Sequence, residues 1–170
     1  MKKILILVLV VLTFAACQKQ EQRYFAESAE INSLKAGITA FETADWETWK
    51  SHFADTAKIY ANSKEGISVS QRLADLQAMT SAFKSYGFDH KDEYIEMVLD
   101  KDDKTFVYYW AQFNGTMVNN KELSIPVHLA VNFVDGKIAA EYIYFDATEM
   151  NNGMAALAAE NAAAEADEPE

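Results

Sequence analysis

The chain has 170 residues, with 15 lysines and arginines against 26 acidic residues, a formal charge of −11, and 50% apolar residues. That length suits one domain with room for a packed core. The acidic balance argues against nucleic acid as a partner, since gripping phosphates needs clustered Lys and Arg, and a single cysteine excludes an internal disulfide.

Met1-Lys2-Lys3 is a short basic start, Ile4 to Leu12 an unbroken apolar run, and Thr13-Phe14-Ala15-Ala16-Cys17 closes it with small residues. Such a run is too short for a hydrocarbon core of about 30 Å, which takes about 20 residues, so residues 1–16 read as a secretory signal. The Phe14-Ala15-Ala16-Cys17 ending resembles the bacterial lipobox. That resemblance implies cleavage before Cys17, diacylation of its thiol and acylation of the new amino group. The expected location is then the bacterial cell envelope, with the protein lipid-anchored to a membrane on its periplasmic or cell-surface side. The plain alternative for Cys17 is a buried thiol in a secreted domain. Losing residues 1–16 removes Lys2 and Lys3 and no acid, which leaves 13 basic residues against 26 acidic ones. Residues 17–24 then form a lipidated polar tether.

Beyond the tether, Ala29, Leu34, Ile38 and Phe41 recur at helical spacing, which predicts a first helix from Phe25 to Thr43. Asp45 is a plausible cap for a second, running through Trp49 to about Phe53. Ala57 to Ala61 reads as a short strand. Ser70 is placed to cap a helix from Gln71 to about Tyr86, with Gly87 as its stop. The period then changes. Tyr94 to Leu99, Thr105 to Gly115, Leu123 to Val134 and Lys137 to Asp146 read as four strands. Helices followed by a strand meander make an α+β fold with antiparallel pairing. Residues 149–170 are an acidic Ala/Glu-rich tail with little to bury, expected to be a frayed helix passing into disorder.

The last two strands are joined by Asp135-Gly136, the signature of a two-residue turn whose residues both accept positive φ. A regular register from that turn sets Val134 against Lys137, Phe133 against Ile138, Val131 against Ala140, Leu129 against Tyr142 and Val127 against Tyr144. The opposite face then carries His128 diagonal to Glu141, with Ile143 and Phe145, beside the small Ala130 and Ala139. A polar pair next to small residues on an apolar strand suits a binding cavity; it equally suits a solvated or subunit-facing surface.

His128 and Glu141 are the candidate catalytic pair, because an imidazole titrates near neutrality and a carboxylate can fix its tautomer. Tyr109, Phe113, Ile143 and Phe145 are the candidate ligand-binding residues. The wider aromatic set, Phe106, Tyr108, Trp110, Tyr142 and Tyr144 among them, suits either a cavity or core and dimer contact. His52 and His90 show no metal spacing, no serine stands in a nucleophile elbow, and no cofactor is implied.

Phe53-Ala54-Asp55 after the helical hairpin, Phe113-Asn114-Gly115 ending a long strand, and Asp135-Gly136-Lys137-Ile138 followed by Tyr144-Phe145-Asp146 together resemble the nuclear transport factor 2-like superfamily, and within it SnoaL-like domains. The resemblance covers about residues 25–148. It implies a cone-shaped, curved antiparallel sheet wrapped around the N-terminal helices, an apolar cavity, and a dimer through the sheet. It also implies either a small-ligand-binding or scaffolding module, or an acid–base lyase, isomerase or cyclase acting on a small apolar substrate. The isomerase pattern places its carboxylate base at Ala61 and its tyrosine at Gly37, so that mechanism does not carry over. Its second donor falls at His128 when counted from Lys137, and one residue away when counted from Phe133. The Asp-Arg-Asp set of the epoxide hydrolases is also missing, since the two arginines, Arg23 and Arg72, lie outside the predicted sheet.

Overall fold

A computed structural model describes residues 21–167. The apolar run, Cys17 and the last three residues lie outside the described residues. Strand β1 (Tyr24–Phe25) precedes helix α1 (Ala29–Glu42), whose first turn is fixed by Ser28 accepting from the Ile31 amide. The helix thus begins four residues after the expected start at Phe25, because Tyr24 and Phe25 pair with a later strand instead. Helix α2 (Trp46–Ser51) is capped by Asp45, as its sequence predicts.

Strand β2 (Phe53–Ala61) and the short β3 (Ile67–Ser68) lead into helix α3 (Val69–Thr80). The cap of α3 is Ser68, not Ser70, and the helix ends at Thr80. The residues expected to continue it form strand β4 (Phe83–Phe88). Gly87 lies within that strand and stops nothing. Long-range pairing overrides local propensity here: β4 joins the sheet across Gly115, where the Phe83 ring packs so close that a Cβ at 115 would sit 2.6 Å from it.

Strands β5 (Tyr94–Leu99), β6 (Thr105–Met117), β7 (Glu122–Val134) and β8 (Lys137–Phe145) match the predicted meander closely. The sheet order is β1-β5-β6-β7-β8-β2-β3, with β4 beside β6. Every pairing is antiparallel except β2 with β8, which is parallel. The helices lie against the inner face of this curved sheet, and Ile59, Val107, Val131 and Ile138 form part of the core between them.

The β7–β8 turn forms as expected, with Asp135 at φ 50° and Gly136 at φ 74°. Val134 pairs with Lys137 and Phe133 with Ile138, but the next pair is Asn132 with Ala140, so Ala139 is an extra residue on β8. This β-bulge moves the rest of β8 by one position, and a one-residue slip exchanges the faces of a strand. Val131 therefore faces Glu141, Leu129 faces Ile143, and Val127 faces Phe145.

The tail is helical, as its composition suggests, but longer and better packed than expected. Helix α4 (Thr148–Asp167) runs 20 residues and packs beside β7 through Gly153, where a Cβ would sit 2.7 Å from the Met117 sulfur. Met150, Met154 and Leu157 are the only large apolar side chains of the tail, and all three pack against the core. No described helix is long and apolar enough to cross a membrane.

Candidate functional site

The inner face of the sheet and the helices enclose a cavity of about 120 Å³. Its helical wall comes from Leu34, Ile38 and Phe41 of α1 and from Arg72, Leu76 and Met79 of α3, each set at one-turn spacing. Phe113, Leu129, Ile143 and Phe145 supply the sheet side, and Met150 of α4 completes it.

Glu141 also stands on this wall, only 8% exposed, because the Ala139 bulge turned it inward. Among the described residues its carboxyl has no hydrogen-bond or ion-pair partner. Burial pushes its pKa up to about 7, partly offset by the positive charge of Arg72. Arg72 is half-buried on the same wall, and burial lowers its pKa while Glu141 and Asp75 oppose the change. A guanidinium stays charged under such a shift. Arg72 likewise makes no hydrogen bond or ion pair among the described residues, and Asp75 is engaged elsewhere, accepting from Gln71 at 3.0 Å. Two opposite charges thus share one apolar cavity without touching, each with its hydrogen-bonding capacity open.

The structure does not bring His128 and Glu141 together. His128 lies on the outer face, where its Nδ1–H donates to the Tyr109 carbonyl at 3.2 Å and its ring stacks on Trp110 with centroids 4.4 Å apart. The regular register would have set it diagonal to Glu141; the bulge separates them onto opposite faces. Tyr94, Trp110, His128 and Tyr144 are successive cross-strand partners and make one aromatic row there.

Of the predicted ligand-binding residues, Phe113, Ile143 and Phe145 line the cavity. Tyr109 does not. It is fully buried beyond Phe88, and its hydroxyl donates to Glu93 at 3.2 Å. Burial, followed by the Glu93 charge, raises its pKa well above the usual phenol range.

His90 belongs to a polar clasp outside the cavity. Its Nδ1 donates to Glu93 at 2.8 Å and its Nε2 to Glu42 at 3.0 Å, so the ring bridges two carboxylates. Hydrogen bonds to Glu93 and then Glu42 raise its pKa. Glu42 also accepts the Phe88 amide at 2.7 Å, which pins the end of α1 to the strand that carries Phe88 into the cavity wall. His52 pairs with Ser33 at 2.9 Å and lies against Gly37. Among the described residues no cluster of His, Cys, Asp and Glu is arranged to hold a metal.

Arg72 is the site residue that the sequence did not single out. Its signal was present in the helical spacing of Arg72, Leu76 and Met79, a charge placed on an otherwise apolar stripe.

No family model matches the sequence, and no curated protein matches it. Solved structures do match its fold. A protein from Shewanella denitrificans, provisionally named a SnoaL-like polyketide cyclase, superposes with a TM-score of 0.59 at 12% identity over 76% of this chain and 99% of its own. PrhC from Penicillium brasilianum gives 0.65 at 14% identity over 79% of this chain and 91% of its own. A nuclear transport factor 2-like protein of unknown function from Burkholderia pseudomallei gives 0.58 at 13% identity, over 73% and 95%. At such identities the likeness is one of fold. The chain has the α+β architecture of the nuclear transport factor 2-like and SnoaL-like proteins, with N-terminal helices packed on a curved, mainly antiparallel sheet.

Proposed function

We propose that the cavity receives one small, largely apolar molecule and that Glu141 carries a proton to or from it, as in a lyase, isomerase or cyclase. One observation carries the reading: a carboxyl with a pKa of about 7 stands unpartnered on an apolar cavity wall. A group poised near neutral pH is present in both protonation states and serves as acid or base. The name of the Shewanella neighbour supports a catalytic reading of the fold. His128, turned to the outer face, has no part in this chemistry.

Deuterium exchange tests it. In D2O, the protein is expected to speed α-deuteration of small ketones of about four to six carbons by about 10²-fold or more, a common yield for one positioned acid or base. Glu141→Gln abolishes the effect and His128→Gln preserves it. Equal deuteration by wild type and Glu141→Gln would refute the assignment.

A second reading is binding without turnover. The wall composition favours it, because among the described residues Glu141 and Arg72 are the only charged groups lining the cavity. Ligands found by thermal shift would then stabilise wild type and Glu141→Gln alike, with no exchange in either.

The proposed setting rests on the N-terminal sequence and the outer face. The reading places the domain at a bacterial membrane through acylated Cys17 and pairs it with a second copy through the exposed Tyr94, Trp110 and Tyr144. Detergent partition is expected to move Cys17→Ser to the aqueous phase, and sedimentation to show Trp110→Glu as a monomer beside a wild-type dimer. A detergent-bound Cys17→Ser or a wild-type monomer removes the corresponding part.

A further inference from the structure

Within the acid–base reading of this cavity, we infer that its ligand is a small branched carboxylate whose oxygens seat on the Arg72 guanidinium. Arg72 stands on the cavity wall, half-buried, with no acceptor among the described residues. A guanidinium offers five N–H donors in a planar fork and no acceptor, and a carboxylate matches that fork with two parallel hydrogen bonds. The half-buried guanidinium is open to solvent and Glu141 does not occupy it, since no direct ion pair joins the two, so a ligand carboxylate competes only with water for the fork and gains two charge-assisted hydrogen bonds. The open place is therefore one for an anionic oxygen.

The rest of the ligand is set by size and lining. The cavity of about 120 Å³ is somewhat smaller than the one of about 150 Å³ that holds benzene in an engineered protein core. A branched chain of about four or five carbons fits that space. Leu76, Met79, Phe113, Leu129 and Ile143 around it offer only apolar contact. The net charge of −11 opposes anions at long range, but that field is screened over about 8 Å at physiological salt, whereas Arg72 acts at contact.

Such a ligand also fixes the role of Glu141. Arg72 is the one positive charge that stabilises the ionised carboxyl, Asp75 lies outside the cavity, and no other charged group of the described walls faces Glu141. A carboxylate on Arg72 cancels that support and adds a like charge, so Glu141 takes up a proton as the ligand binds. It enters the complex as the acid.

The test is calorimetry with 3-methylbutanoate against its neutral isostere 3-methylbutanamide. The carboxylate is expected to bind at least about tenfold tighter, the scale of a hydrogen bond to a charged group. Titration at pH 7 in buffers of different ionisation enthalpy is expected to show uptake of about half a proton with the carboxylate, since Glu141 starts near half-ionised. Glu141→Gln is expected to keep the preference and lose the uptake. Arg72→Met is expected to bind the two ligands equally, and Arg72→Lys to retain part of the preference.

Equal affinity of wild type for the two ligands overturns the inference, as does a preference that survives Arg72→Met. If neither ligand binds while Glu141 titrates near neutrality, the carboxylate assignment is overturned and the acid–base reading stands. A Glu141 that titrates in the ordinary carboxylate range removes that reading instead.

Discussion

Glu141→Gln is expected to raise the melting temperature at pH 8 and to leave it nearly unchanged near pH 4.5. In the folded protein Glu141 holds its proton up to about pH 7, against a usual value of 4.5. Below pH 4.5 both folded and unfolded chains are protonated, and burial of the neutral acid carries no ionisation penalty. Between 4.5 and 7 the unfolded chain releases the proton and the folded chain keeps it. Stability is therefore lost as pH rises through this window and then levels off. At about 1.36 kcal/mol per pKa unit the loss is on the order of 3 kcal/mol. Glutamine, neutral at every pH and of nearly the same shape, escapes it. For a domain of this size that corresponds to about 5–10 °C at pH 8. Melting curves of both proteins from pH 4 to 9 give the answer, because every other titrating group cancels in the difference. A gap independent of pH would mean that the carboxyl is not desolvated.

Ending the chain after Ala147 is the second large effect expected. It removes α4, and with it the cover over Met117 and Leu123, which are 0% and 4% exposed. Re-exposing two side chains of this size costs about 2–5 kcal/mol. Met150 leaves the cavity wall at the same time, so any ligand of the cavity is expected to bind more weakly. Gly153→Leu separates the two consequences: it forces a side chain into a contact already filled by Met117 while keeping Met150, and is expected to destabilise by about 1–3 kcal/mol. Chemical denaturation measures both variants. A truncated chain as stable as the full one would show that α4 contributes no packing.

The parts of the structure that were legible in the sequence are those set by local chemistry. Asp135 and Gly136 define their turn because few residue pairs accept positive φ twice, and the meander from Tyr94 to Phe145 follows from its alternation. The site was misplaced by the one residue that has no local signature. Ala139 and Ala140 are both small, so nothing between them marks a bulge. The indication lay in matching across the pair. Leu129 and Val127 on one strand call for Ile143 and Phe145 on the other, and only a shift of one residue puts them opposite. That shift keeps Ile143 and Phe145 as cavity residues, brings Glu141 with them, and leaves His128 among the outer aromatics. Phe83 and Tyr86 also fit helical spacing, which predicts helix where β4 forms; the strand's partners on β6 lie about thirty residues away. The packing of the tail has no such signal: its few apolar residues are spread along an alanine-rich segment, and the decisive contact is a glycine, which has no hydrophobic signal at all.

The Ala139 bulge turns Glu141 into an apolar cavity, and the side-chain carboxyl of Glu141 reports it directly. Carbon-detected NMR of the glutamate carboxyls, assigned by comparison with Glu141→Gln, is expected to show this group titrating at a midpoint of about 7. A midpoint near 4.5 would place the side chain in water and contradict the account.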